Sequence, residues 1–122
     1  MELKIHELNH QTIAEVLAEE VVVHTIQDAL DLIVTATYEG AGSIIIAEKH
    51  LNGDFFDLRT GLAGEILQKC ANYRVKLAVV GDFEKYKSAS LHAFIMECNR
   101  GRGQPVFFAP DTATALSKIG EG

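Results

Sequence analysis

Cysteine is scarce in this chain. Only Cys70 and Cys98 occur, with no CxxC pair, which fits two reduced thiols in a core better than a metal site or a disulfide framework. Clustered cations are missing as well: eleven Lys and Arg are scattered among seventeen Asp and Glu, for a formal net charge of −6. Nucleic acid rewards gathered cations that neutralise phosphates, so no nucleic-acid partner is expected. Apolar runs stay short. "SIIIA" and "KLAVVG" fall far below the roughly 20 residues that cross a bilayer, and the opening "MELKIHELNH" has no cationic stretch leading into an apolar one. The expectation is a cytoplasmic protein with no membrane partner.

Catalytic and cofactor signatures are also absent. There is no GxxxxGK[ST] loop, no GxGxxG after a strand, no GxSxG elbow and no HExxH, so the expectation is no catalytic residue, no metal and no cofactor. The five histidines are dispersed; His6 and His10 fall on a strand and a turn, where a spacing of four does not share a face. "RGRGQP", residues 100–105, follows a helix pattern rather than a strand and reads as a helix stop.

What is present is a well-patterned α/β domain. With 122 residues, 48% of them hydrophobic, the chain supports one domain over residues 1–122 with one core. "LKIHEL" and "TIAEVLA" read as strands joined by a turn at Asn9-His10. Thr25 and Asp28 mark a helix start, with Ala29, Leu30, Ile33 and Val34 at helical spacing and Gly40 or Gly42 as the stop. "SIIIAEK" suits a central strand buried on both faces. Next comes a helix with Leu62, Ala63, Ile66, Leu67 and Cys70 on one side and Glu65, Gln68, Lys69 and Asn72 on the other. "VKLAVVGD", the helix pattern Leu91, Phe94, Ile95 and Cys98, "PVFFAPD" and "TATALSKI" continue the alternation, with Ser88 or Ser90 and Asp111 or Thr112 as helix caps. Strands alternating with helices predict a mixed, mostly parallel sheet of about five strands, with helices mainly on one face.

In such sheets reactive groups gather where strands deliver their carboxyl ends to helix amino ends. Two loops qualify: Glu48 to Thr60, with Lys49, His50, Asn52, Asp54, Asp57 and Arg59, and Asp82 to Ser90, with Glu84, Lys85, Tyr86 and Lys87. Thr60 beside Gly61 would stand where outward-pointing N–H groups favour negative charge. The alternative is that Thr60 simply caps the helix and Gly61 permits a tight turn.

The run "FFDLRTGLAGEILQKCANYRVKLAVVGDF", with "ALDLIVTATYEG" before it and "SLHAFIMECNRG" after it, resembles a bacterial family catalogued as domain of unknown function four-one-eight-zero, over nearly the whole chain. "FFDLRTGLAGEIL" also resembles, more distantly, STAS domains of the anti-sigma-factor-antagonist type. In those, a hydroxyl residue before a glycine is phosphorylated by a partner kinase and the charge switches protein binding. The STAS resemblance implies that Asp57 takes the place of the aspartate, Thr60 of the phosphoacceptor and Gly61 of the glycine. The Asp57-to-Thr60 spacing is one residue longer than the usual pattern, and Leu58-Arg59 replaces small hydroxyl residues.

The resulting expectation is a regulatory protein-interaction module. Asp57, Arg59, Thr60, Gly61, Asp82 and Lys85 form its binding and regulatory surface, an unidentified protein is its partner, and Thr60 is a candidate switch. A homodimer through an edge strand is a further expectation. The alternative is a small enzyme or ligand-binding domain in which Asp54, Asp57 and Asp82 converge on a cation, with His50 or Lys85 in acid-base or phosphate-binding work.

Overall fold

Apolar β-branched runs and three helix caps account for most of the architecture. The computed structural model describes residues 1–101 and 103–121; Arg102, within the "RGRGQP" stretch, lies outside them. Strand β1 (Glu2–Leu8) and strand β2 (Gln11–Leu17) form an antiparallel hairpin. Asn9 and His10 turn it with φ of 51° and 65°, the left-handed pair that a two-residue hairpin loop requires. Helix α1 (Ile26–Tyr38), β3 (Ser43–Ala47), α2 (Leu62–Tyr73), β4 (Lys76–Val80), α3 (Ala89–Cys98), β5 (Val106–Ala109) and α4 (Thr112–Gly120) follow. The five strands lie in the order β1-β2-β3-β4-β5, parallel from β2 onward, so the sheet is mixed and mostly parallel, as the alternation predicts.

Strand side chains alternate between faces, and β3 shows the result. Ile44 and Ile46 join a core with residues of α1, α2 and α3, whereas Ile45 joins Ile13, Ala78, Phe107, Ala115 and Ile119 on the opposite face. Three helices therefore cover one face and α4 covers the other. Each fully buried isoleucine contributes on the order of 1.5–3 kcal/mol, which makes this two-sided strand the centre of the fold. Helix α4 is fastened at its far end by the hairpin: Asn9 Nδ2 donates to Gly120 O (3.0 Å) and Gln11 Nε2 to Ile119 O (2.9 Å).

The caps follow the sequence closely. Thr25 Oγ1 accepts from Asp28 N (3.2 Å), Ser88 Oγ from Leu91 N (3.1 Å) and Asp111 Oδ1 from Thr114 N (2.7 Å), each satisfying an amide that the helix itself leaves unpaired. Two expectations need correction. Ser90 lies inside α3 rather than capping it. On α1 the buried stripe is Ala29, Leu32, Ile33 and Ala36, so Val34 is 54% exposed; the helix is rotated so that Leu32 faces the sheet in its place.

Candidate functional site

Because β3 and β4 are parallel neighbours, the loops that follow them share one edge of the molecule. Glu48, directly after β3, bridges them. Its Oε2 accepts from Lys85 Nζ at 2.9 Å and from the Tyr86 hydroxyl. Gly81, directly after β4, lies against it so closely that a Cβ there would stand 2.7 Å from Glu48 Oε1 and 2.8 Å from Glu48 Cβ. Tyr86 stacks on Phe56 (centroids 5.0 Å apart, planes at 13°), Phe56 on Phe83 (6.0 Å), and Phe83 meets Phe108 edge-on at 5.1 Å. Burial, with the Glu48 carboxylate beside it, pushes the Tyr86 phenol well above its ordinary pKa, so it stays a neutral donor. His92 Nε2 donates to the backbone carbonyl of Tyr86, which ties α3 to the same loop.

The other predicted residues form a separate knot. Arg59 holds Asp57 with both arms of its guanidinium, Nε to Oδ1 at 3.0 Å and Nη2 to Oδ2 at 2.9 Å. The Arg59 side chain and then its backbone N–H keep the Asp57 carboxyl below the usual carboxylate range. Thr60 Oγ1 donates to Asp54 O (2.7 Å) and Asp57 O (2.9 Å) and accepts from Leu62 N (3.3 Å). Gly61, with φ of 81°, occupies the N-cap position of α2. Thr60 thus serves the helix start from one residue further out, while Gly61 takes the left-handed backbone that a side chain would strain.

Asp57, Arg59, Thr60 and Gly61 are therefore brought together, and Lys85 is brought to Glu48. Asp82 Oδ1 accepts from Glu84 N (3.2 Å) within its own turn. Among the described residues no ion pair or side-chain hydrogen bond joins the Asp57–Thr60 knot to Asp82 or Lys85. Sequence reading names Glu48 and Tyr86 only as loop members. Their pairing depends on neighbouring strands delivering them to one point, and the available signal is their place just beyond two buried apolar runs.

The cation-binding alternative does not find its geometry. Asp57 is engaged by Arg59, and among the described residues no group of three or more His, Cys, Asp or Glu is placed to hold a metal ion. His50 is 3% exposed; its Nδ1 accepts from Ala47 N (3.1 Å) and its Nε2 donates to Ala18 O (2.9 Å). Both ring nitrogens are committed to backbone, which removes His50 from acid-base work. The thiols are buried, as the helix faces predict. Burial raises Cys70 to about 12 and, with Glu97 adding to it, Cys98 to about 11, so neither is a ready thiolate.

An open groove of about 410 Å³ adjoins the Glu48–Tyr86 cluster at the carboxyl ends of β4 and β5. His92, Ile95 and Asn99 border it from α3 and its C-terminal cap, Phe83 and Phe108 supply aromatic surface, and Asp82 and Glu84 stand at the loop end. Asn99 Oδ1 accepts from Phe108 N at 2.8 Å. Sequence reading assigns Asn99 no role, because nothing local marks it as the partner of a strand amide.

Comparison with known proteins gives no match among curated proteins and none among solved structures, so the STAS likeness rests on the sequence motif alone. The family model described as "Domain of unknown function (DUF4180)" matches residues 8–119, from the end of the first strand to the end of the last helix. The chain belongs to the DUF4180 family.

Proposed function

We propose that this domain is a regulatory protein-interaction module that receives a segment of its partner in the groove between α3, the Asp82–Glu84 loop and β5. The supporting observation is the character of that groove. It is open and partly aromatic, it borders an edge strand, and the polar groups of the adjacent cluster are spent on one another rather than aimed at a reacting centre: Glu48 on Lys85 and Tyr86, His92 on the Tyr86 carbonyl. A catalytic pocket calls for converging polar groups with open valences.

In this reading Thr60 is the switch. A phosphoryl group on Oγ1 removes the proton that bonds Asp54 O and Asp57 O and adds about 1.5–2 negative charges beside Asp57. That loosens the knot whose neighbours Phe55 and Phe56 pack under the groove's aromatic wall. A photo-crosslinking side chain at Glu84 tests the reading in cells, with the exposed Tyr38 on α1 as control. A protein adduct at Glu84 that is absent at Tyr38, and reduced by Thr60→Glu, is expected. Identical adducts at both positions, or none, would overturn it.

A further inference from the structure

We propose that this chain forms a two-fold dimer in which β1 pairs antiparallel with β1 of a second copy, centred on Leu3. That surface lies at the end of the sheet opposite the groove, so the inference stands apart from the interaction reading above. The edge is open. Thr12 O accepts from Gly42 N at 3.0 Å, toward β3, and Glu7 lies opposite Thr12, so the N–H and C=O of Glu7 point away from β2. By two-residue alternation those of Ile5 and Leu3 point the same way. Among the described residues no other strand adjoins that side and no backbone bond from beyond the hairpin reaches it. Five of the seven residues of β1 are exposed, Ile5 by 40%, which leaves the strand accessible along most of its length. It pairs with β2 residue for residue, with neither the bulge nor the proline by which edges are commonly protected.

A second copy fits this edge because residues 1–5, "MELKI", complement their own reverse. Antiparallel pairing about Leu3 sets Leu3 opposite its counterpart, Met1 opposite Ile5 and Glu2 opposite Lys4, an isologous contact. The two faces then match separately. Leu3 packs against the core shared with α1, and Ile5 lies beside Ala14 of that core, while Met1, 63% exposed, stands near Leu32 of α1. The dimer joins these apolar side chains into one row. On the other face each Glu2 meets Lys4 of the other copy, and among the described residues neither takes part in an ion pair within the chain. A register centred on Ile5 would instead set Leu3 against Glu7 and Lys4 against His6. Side-chain pairing therefore selects the Leu3 register. The overlap is short, which places the contact among weak interfaces of under about 1,200 Å².

Sedimentation velocity of the full chain over a concentration series tests the proposal. Glu2→Lys and Lys4→Glu should each weaken association roughly tenfold by setting like charges opposite one another. An equimolar mixture of the two variants, or both exchanges in one chain, should restore it. Both side chains are exposed, so thermal melts of these variants should match the wild type. Register is tested independently by oxidation. Residues opposite one another at a position that exchanges no main-chain bonds have Cα atoms about 4.5 Å apart, within disulfide reach, so Glu2→Cys mixed with Lys4→Cys should link much faster than either variant alone. Cys70 and Cys98 are buried and do not compete. A chain that stays monomeric at about 0.5 mM, association unmoved by either charge reversal, or a loss that neither the mixture nor the double exchange repairs would overturn the inference. So would a cysteine mixture that links no faster than its components. None of these results bears on adducts at Glu84, so this dimer and the docking groove fail separately.

Discussion

Replacing Gly81 by alanine should destabilise the protein through a single steric conflict. The backbone of Gly81 is not in the left-handed region, so alanine suffers no conformational strain there. The added Cβ would stand 2.7 Å from Glu48 Oε1, 2.8 Å from Glu48 Cβ and 3.3 Å from Phe83 Cζ. The carboxylate can swing, at the expense of its bonds to Lys85 and Tyr86. Glu48 Cβ cannot, because it is fixed to the backbone just beyond β3, and Gly81 itself is held by its N–H to Ala109 O at 3.1 Å. Overpacking of this kind costs about 1–3 kcal/mol, and a loss of about 2 kcal/mol lowers the melting temperature of a domain this size by roughly 5–10 °C. Urea and thermal denaturation measure it directly. A double-mutant cycle assigns the cause: the penalty should persist in a Glu48→Ala background, which keeps Cβ, and shrink to within about 0.5 kcal/mol in a Glu48→Gly background, which removes it. Gly81→Ala as stable as wild type, or a penalty that is unchanged in the Glu48→Gly background, would refute the reasoning.

Thr60→Val should cost about 1 kcal/mol in urea denaturation, because it deletes the hydroxyl shared by Asp54 O, Asp57 O and Leu62 N; Thr60→Ser should restore it, and a Thr60→Val variant as stable as wild type would contradict the knot. Cys70 and Cys98 have thiol pKa values raised above the ordinary 9.0 to about 12 and about 11. Their contribution to stability is therefore complete below pH 9 and lost as pH rises toward these values, and iodoacetamide at mildly alkaline pH should label only urea-unfolded protein. Labelling of the native state would be the contrary result. Asp28, Asp57 and Asp111 have carboxyls held below the ordinary 3.8, so their contribution is present above that value and lost as pH falls through the lower native values; Asp57→Asn should flatten the acid limb of the stability curve, and an unchanged limb would count against the Asp57–Arg59 pair.

The fold is legible where local chemistry decides it. β-Branched runs flanked by glycine mark β3 and β4, and the hydroxyl or carboxylate before each apolar repeat marks the starts of α1, α3 and α4. The face of α2 can be read because its polar and apolar sides separate cleanly. On α1 both Leu32 and Val34 are apolar, and only docking against the sheet and α2 chooses between them. The site divides in the same way. The Asp57–Thr60 knot is made by residues close in sequence, within reach of motif reading. The Glu48–Lys85–Tyr86 bridge and the Asn99–Phe108 bond join distant residues, and they exist only once β3, β4 and β5 lie side by side.

The placement of α4 has a consequence for synthesis. Its residues are the last of the described elements to leave the ribosome, yet Ala115 and Ile119 are what cover Ile13, Ile45, Ala78, Phe107 and Ala109. Until they arrive, the growing chain can assemble α1, α2 and α3 on one side of the sheet while the other side stays bare and sticky, the condition under which nascent chains recruit chaperones or one another. A message that stopped before Thr112 would yield a product with most of its secondary structure and an uncovered apolar face. The bonds from Asn9 and Gln11 to the far end of α4 then act as a latch between the earliest and latest elements of the domain, so that arrival of its last helix and closure of the fold become one event.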